Sequence, residues 1–305
     1  MGRVQREMIM RHMKETVLLA LVGVLATSVT AAEQVERVLD ASSDGTVVVS
    51  NIAGSIDVKG WSKNEVKVVA DLGRDVEELI VERDGDEILI KVKVPNRNNR
   101  YISSVLKIQV PKDSMLEVSA VSADVDVEGV LGELSLQSVS GDMKIEVFGS
   151  DVEIETVSGD IRLQGHNQAM VTETSSVSGD IEASNLSGEI EADSVSGDLE
   201  LMGGSFSLVE ANTVNGDVDF NAELVRDGEL DVETINGDVT VIFTGTVSAR
   251  FDIETFNGDI DNCFGPEPER TSRYMPGREL SFTHGDGDGR VQIETLNGGI
   301  TLCMK

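Results

Sequence analysis

The chain has little of most residue types that carry chemistry. Its 305 residues include 3 histidines, 2 cysteines, 1 tryptophan, 2 tyrosines and 5 prolines. No Ser-His-Asp grouping, zinc-ligand spacing or glycine-rich phosphate loop is present. His12 belongs to the leader, and His166 and His284 lie in separate variable segments. Aromatics make up 4% of the chain, so the core must be built from Val, Ile and Leu. Polysaccharide-cleaving parallel β-helices group acids or bases with aromatics on one face. Here Trp61, Tyr101 and Tyr274 all fall outside the chain's repeated phrases. Bases are scarce, 25 against 55 acids, for a net charge of −30. Such a surface repels nucleic acid and anionic lipid headgroups and favours cations, basic partners or plain solubility. Helix-period segments are absent beyond residue 32.

Only one apolar run is long enough to notice. Val17 to Ala26 follows Arg3, Arg6, Arg11 and Lys14, and precedes Val29-Thr30-Ala31 or Thr30-Ala31-Ala32. That is the pattern of a secretory signal over residues 1–32, with Met10 or Met13 as alternative starts. The run is shorter than the ~20 residues a membrane span needs. A retained anchor or a buried helix is the alternative. No cysteine follows the run, which argues against a lipid anchor. Cleavage would remove four bases and two acids, leaving −32. The mature chain is expected to be exported and soluble, without an integral membrane segment.

What is present is a repeat. SVSGDM (138–143), TVSGDI (156–161), SVSGDI (176–181) and SVSGDL (194–199) are followed by TVNGDV (213–218), TINGDV (234–239), TFNGDI (255–260) and TLNGGI (295–300). A degenerate copy, AVSADV, occupies 120–125. The glycines fall at 141, 159, 179, 197, 216, 237, 258 and 298, with steps of 18, 20, 18, 19, 21, 21 and 40. A period near 20 predicts a stacked repeat architecture. Val152, Ile154 and Thr156 share one parity, and Glu153 and Glu155 the other. Each copy therefore reads as two short half-buried strands and two corners. Side-chain parity fits a parallel β-solenoid and an antiparallel meander alike. Identity between successive periods favours the solenoid, and a meander of this size would expose a long edge. The expected inward column is Ile161, Ile181, Leu199, Val218, Val239 and Ile260.

The corner glycines Gly141, Gly159, Gly179, Gly197, Gly216, Gly237, Gly258 and Gly298 are expected to be structural, supplying positive φ at a sharp turn. The acids that follow would form a column: Asp142, Asp160, Asp180, Asp198, Asp217, Asp238 and Asp259. Stacked carboxylates repel by ~1 kcal/mol per pair even in water-like surroundings. Capping of backbone N–H groups would offset this, or a Ca²⁺ ladder bridging successive copies. No other cofactor is implied. His284-Gly285-Asp286-Gly287-Asp288-Gly289 lacks the twelfth-position Glu of an EF-hand and reads as a flexible loop.

Residues 33–114 read as a β-rich portion continuous with the repeats, with a hairpin turn at Arg83-Asp84-Gly85-Asp86 and a strand ending at Pro111. Residues 115–305 read as the repeat solenoid. The segment 264–290, with Pro266, Pro268 and Pro276, reads as a loop inserted into it. Cys263 and Cys303 each lie five residues after a corner glycine. If the 40-residue step is one repeat carrying the insertion, they sit on adjacent strands at disulfide distance. If it is two repeats, they do not.

The early Asn51-Ile52-Ala53-Gly54-Ser55-Ile56-Asp57-Val58, the strand end Ile108-Gln109-Val110-Pro111 and the serial Val-Ser-Gly-Asp-Ile phrases resemble the DUF4097 "putative adhesin" family of bacterial envelope proteins, over about residues 47–305. The resemblance implies an exported β-solenoid, periplasmic or at the cell surface, with no catalytic residues to carry over. The Asn-Gly block and the 264–290 insertion depart from that pattern. Three readings are compatible with these features. The chain is a non-enzymatic surface that binds an envelope or extracellular protein or glycan, a carbohydrate-active enzyme, or a scaffold that stacks end to end.

Overall fold

The computed structural model describes residues 33–95, 101–272 and 276–305. The expected signal segment, 1–32, and Tyr274 lie outside the described residues. Among the described residues there are 23 strands and no helix, and the strands join in one sheet.

Alternation builds the strands. In Val152–Ser158 the side chains of Val152, Ile154 and Thr156 are buried while Glu153 and Glu155 are exposed. Each repeat then gives one strand to each of two parallel ladders. In the first, Ile154 lies beside Leu136 and Thr174. In the second, Ile161 lies beside Met143 and Ile181, Ile181 beside Leu199, Leu199 beside Val218, and Val218 beside Val239. Parallel pairing rules out the antiparallel meander. Pairing in register stacks apolar residue on apolar residue, and full burial of each is worth ~1.5–3 kcal/mol. One continuous core results, from Val47 to Leu302. Phe206, Phe220 and Phe243 thicken it towards the C-terminal end, with ring centroids 5.9–6.0 Å apart.

The ladder order departs from chain order at that end. Val239 pairs with Ile300, and Ile300 pairs with Ile260. The last strand therefore slots between two strands made before it, and the expected column is corrected to run Val239, Ile300, Ile260. The first ladder agrees: Thr295 lies beside both Thr234 and Thr255. Near-identical sequences make this threading stereochemically free, because each copy fits beside any other.

The segment 264–290 is not simply a loop. Its strand Arg278–His284 pairs antiparallel with Ala249–Asn257, Leu280 opposite Ile253 and Phe282 opposite Phe251. Leu280 is buried, and the Phe282 ring stacks on Phe251 at 4.5 Å. The added strand covers an edge that would otherwise leave backbone groups unpaired. The glycines at 285 and 287, both at positive φ, turn the chain back into the ladder.

The N-terminal end repeats this plan. Thr46–Trp61 pairs parallel with Met115–Glu128 on one side, and with Glu87–Lys93 and Ser104–Pro111 on the other. Antiparallel strands Glu33–Asp40, Glu65–Leu72 and Glu78–Asp84 finish the end.

Candidate binding face

The corners show why glycine is required, and the reason differs from the expected one. Only Gly141 (φ 141°) and Gly159 (φ 148°) take positive φ, whereas Gly179, Gly197, Gly216, Gly237, Gly258 and Gly298 do not. The constraint is space. A Cβ at any of the eight would lie 1.8–2.3 Å from the carbonyl oxygen of the neighbouring corner. These contacts run from Ala123 through Gly237 to Gly298 and then Gly258, tracing the threaded order. The glycines also carry ladder bonds. Gly141 N–H donates to the Ser158 carbonyl (3.2 Å), and Gly237 N–H to that of Asn297 (3.1 Å).

The acids after the corners are occupied by backbone. The N–H of Asp160 donates to Asp142 Oδ1 at 3.1 Å, that of Asp198 to Asp180 at 2.9 Å, that of Asp238 to Asp217 at 2.7 Å and that of Gly299 to Asp238 at 2.7 Å. Charge-assisted bonds of this kind outweigh the ~1 kcal/mol repulsion between neighbours. Asp259 lies past the break at Gly299 and pairs with Arg278 at 3.3 Å. Among the described residues, no group of three or more His, Cys, Asp or Glu is arranged to hold a metal ion.

The exchange of Ser for Asn changes the corner bonding. Asn236 Nδ2 donates to Asn215 Oδ1, Asn297 to Asn236, and Asn257 to Asn297, each at 2.8 Å. In the same block Thr213, Thr234, Thr255 and Thr295 donate to glycine carbonyls at 2.9–3.3 Å. The matching hydroxyls of Ser138, Thr156, Ser176 and Ser194 are buried without a partner.

Between the buried Thr or Ser and the corner sits a residue to which the repeat pattern assigns no role. It is Val139, Val157, Val177, Val195, Val214, Ile235, Leu296 and Phe256 in ladder order, with Val121 before them. All nine are 37–49% exposed. Strand parity contained the signal: Val157 shares its side with Glu153 and Glu155, not with Ile154. Isolated surface apolars are ordinary, but a contiguous line of them marks an interaction site.

Carboxylates flank this line. One position inward along the same face stand Glu155, Asp193, Glu233, Glu294 and Glu254, interleaved with Ser119, Gln137, Ser175 and Asn212, and beyond them Glu153, Glu173, Glu191, Glu210, Asp231 and Asp252, interrupted by Ser135 and Gln292. On the other side the corner acids follow three residues after each line residue, past the glycine turn. Burial, then the charges of Asp193, Glu210 and Glu173, push the Glu191 carboxyl above its ordinary value. Burial does the same to Asp231, against the opposing pull of Arg290. A groove of about 600 Å³ follows the line over Val214, Ile235, Phe256 and Leu296, walled by Glu233 and Glu254. A second hollow of about 470 Å³ lies farther along the line at Val139 and Val157.

The remaining candidates lie elsewhere. His166 stacks on Phe148 and meets Glu146 at 2.9 Å, while His284 abuts Phe264 within the cap. Trp61 and Tyr101 sit at the N-terminal end beside Lys63 and Arg74. Cys263, in the turn just after the strand Ile260–Asn262, and Cys303, on the adjacent strand Ile300–Met304, have Cα atoms 4.9 Å apart and their sulfurs joined. No described helix is long and apolar enough to cross a membrane.

A parallel ladder with glycine-tight corners defines a β-rich repeat protein. The sequence matches the Toastrack DUF4097 family over residues 38–303, and the chain belongs to that family. No protein of curated function matches it. Solved structures with likeness include a "putative lipid binding protein" from Parabacteroides distasonis, at 12% identity and TM-score 0.46, covering 88% of this chain and 96% of that one. Others are a "putative adhesin" from Bacteroides fragilis (10%, TM-score 0.36, 88% and 97%) and a "putative cell adhesion protein" from Clostridium sporogenes (12%, TM-score 0.23, 90% and 100%).

Proposed function

We propose that the chain is an exported, non-enzymatic β-solenoid that binds a protein or glycan of the cell envelope or its surroundings, in the manner of an adhesin. In this reading each coil spans 18–21 residues and contributes two strands. The 1–32 segment directs export, and the Cys263–Cys303 bridge staples the threaded last coil in an oxidising compartment. The observation that carries the reading is the line of nine exposed apolar side chains between carboxylate columns. Capped ends argue against end-to-end stacking as a scaffold. The sparse aromatics argue against sugar-cleaving chemistry.

The test is a screen of the full chain against glycan arrays and envelope extract, in parallel with a Val157→Asn/Val177→Asn/Val195→Asn variant. Retention by the parent chain and its loss in the variant is the expected result. Equal retention by both would show that the face is not the binding site. Turnover of an acidic polysaccharide, abolished by one acid-to-amide change, would overturn the non-enzymatic assignment.

A further inference from the structure

The apolar face also specifies a partner chemistry, which rests on the proposed binding role of that face. From the apolar line and its two carboxylate borders we infer that the occupant is a cationic amphipathic helix laid along the ladder.

Length and spacing come first. Neighbouring parallel strands lie ~4.8 Å apart, so nine levels span ~38 Å. A helix of about 25 residues has that length, and its apolar ridge repeats every 5.4 Å. An extended peptide presents a side chain to one face only every ~6.8 Å, a mismatch of ~2.0 Å per level against ~0.6 Å for the helix. Extended peptides also bind sheets by pairing with a free edge. The apolar line lies on a sheet face, where the backbone groups are already spent in parallel ladders. Recognition there must come from side-chain packing, which is how a helix seats in a groove.

Charge fixes the sign of the partner. The two outward columns beside the apolar line contain no Lys or Arg from Glu117 to Glu254. On the corner side the nearby bases are Lys144 and Arg162, neighbours in the second ladder, and Arg278; Arg162 is already held by Asp160 at 3.0 Å and Glu182 at 3.3 Å, and Arg278 by Asp259 at 3.3 Å. Apart from Asp160, whose Oδ2 is held by Arg162, the corner carboxylates that cap an N–H through Oδ1 present Oδ2 to a second partner. Lysines or arginines flanking an apolar ridge would meet carboxylates on both borders. A second copy of this chain would instead bring its own acids against these, at a net charge of −30 each.

The experiment uses the purified full chain and a labelled 25-residue synthetic peptide with one leucine ridge flanked by lysines, read by fluorescence anisotropy. Three peptides of equal length serve as comparisons: a scramble of the same composition, a lysine-rich peptide without leucine, and a leucine-ridge peptide with glutamates for lysines. The designed peptide should bind at least 10-fold more tightly than any of the three, and at least 10-fold more weakly in 500 mM than in 50 mM salt. Val157→Asn/Val177→Asn/Val195→Asn should lose at least 10-fold. Glu155→Gln/Asp193→Asn/Glu233→Gln should lose affinity and flatten the salt dependence. Circular dichroism and sedimentation check that the variants fold and that the chain does not self-associate through this face. Equal binding of the scramble or the lysine-rich peptide, indifference to the Val variant, or Val-dependent self-association would overturn the proposal. If the peptide fails while the Val variant still loses an envelope ligand, the helix inference falls and the binding face stands. If the Val variant loses nothing in either assay, both fall.

Discussion

Gly237→Ala is the substitution in which the corner geometry acts most strongly. The added Cβ would lie 1.8 Å from the Gly216 carbonyl oxygen, against a floor of 3.0 Å for real contacts, so the strands must part by about 1.2 Å there. The bonds nearby have no such slack. Gly237 N–H reaches Asn297 at 3.1 Å, Gly216 N–H reaches Asn236 at 3.1 Å, and Asp238 N–H reaches Asp217 at 2.7 Å. The two that join the Gly216 and Gly237 coils, Gly216 to Asn236 and Asp238 to Asp217, move beyond bonding distance, at ~1 kcal/mol each. Overpacking costs of ~1–3 kcal/mol agree. A loss of about 2–3 kcal/mol is therefore expected, read as a lower urea midpoint with an unchanged slope. Gly85→Asn is the control: φ there is +63° but no atom lies within 4 Å of the new Cβ, and Asn tolerates that conformation. It should shift stability by less than ~1 kcal/mol. If Gly237→Ala unfolds at the midpoint of the parent chain, close approach is not what demands glycine at the corners. If Gly85→Asn is the more damaging of the two, positive φ is the stronger constraint.

Other consequences are open to measurement. Non-reducing mass spectrometry of exported protein should find Cys263 and Cys303 joined, and reduction should destabilise the chain by up to ~4 kcal/mol, the loop entropy for 40 residues; two free thiols would refute the bridge. Asp217→Ala removes the acceptor of the Asp238 N–H and should cost ~1–2 kcal/mol, whereas Asp217→Asn keeps Oδ1 and should cost less. Chelators should leave melting unchanged, and a rise on adding Ca²⁺ that Asp217→Asn abolishes would restore the cation ladder. Glu191 has its folded pKa raised, so its ionisation opposes folding, and that penalty disappears as pH falls through the raised value. Glu191→Gln should therefore stabilise the chain at pH 7 and match the parent below the ordinary value of 4.5; destabilisation at pH 7 would contradict the assigned cause.

The strand character, the parity of buried positions and the common register of Cys263 and Cys303 are all legible in the sequence, because each follows from local alternation and spacing. The threading of Ile300 between Val239 and Ile260 is not. Thr-Ile-Asn-Gly-Asp-Val, Thr-Phe-Asn-Gly-Asp-Ile and Thr-Leu-Asn-Gly-Gly-Ile offer the same side chains to any neighbour, so order is decided by the connecting segment. Gly299 is the visible hint, since a missing acid marks the place where the column breaks before Asp259. The strand Arg278–His284 hides among prolines and glycines, although Leu280 and Phe282 alternate with polar residues. The exposed Val line escapes notice for a simpler reason. An apolar residue in a repeat is readily counted as core, and only the parity set by Ile154 and Thr156 places Val157 outside.

Hydroxyl-radical footprinting of the full chain, free and with a retained envelope ligand, tests most directly whether the apolar line is the binding face. Strong labelling of Val139, Val157, Val177, Val195, Val214, Ile235, Leu296 and Phe256 is predicted in the free chain. On binding, protection should be confined to these residues and their bordering carboxylates. Protection centred instead on the outer side of the second ladder, at Arg162, Glu182 and Glu200, with the Val line still labelled, would contradict it.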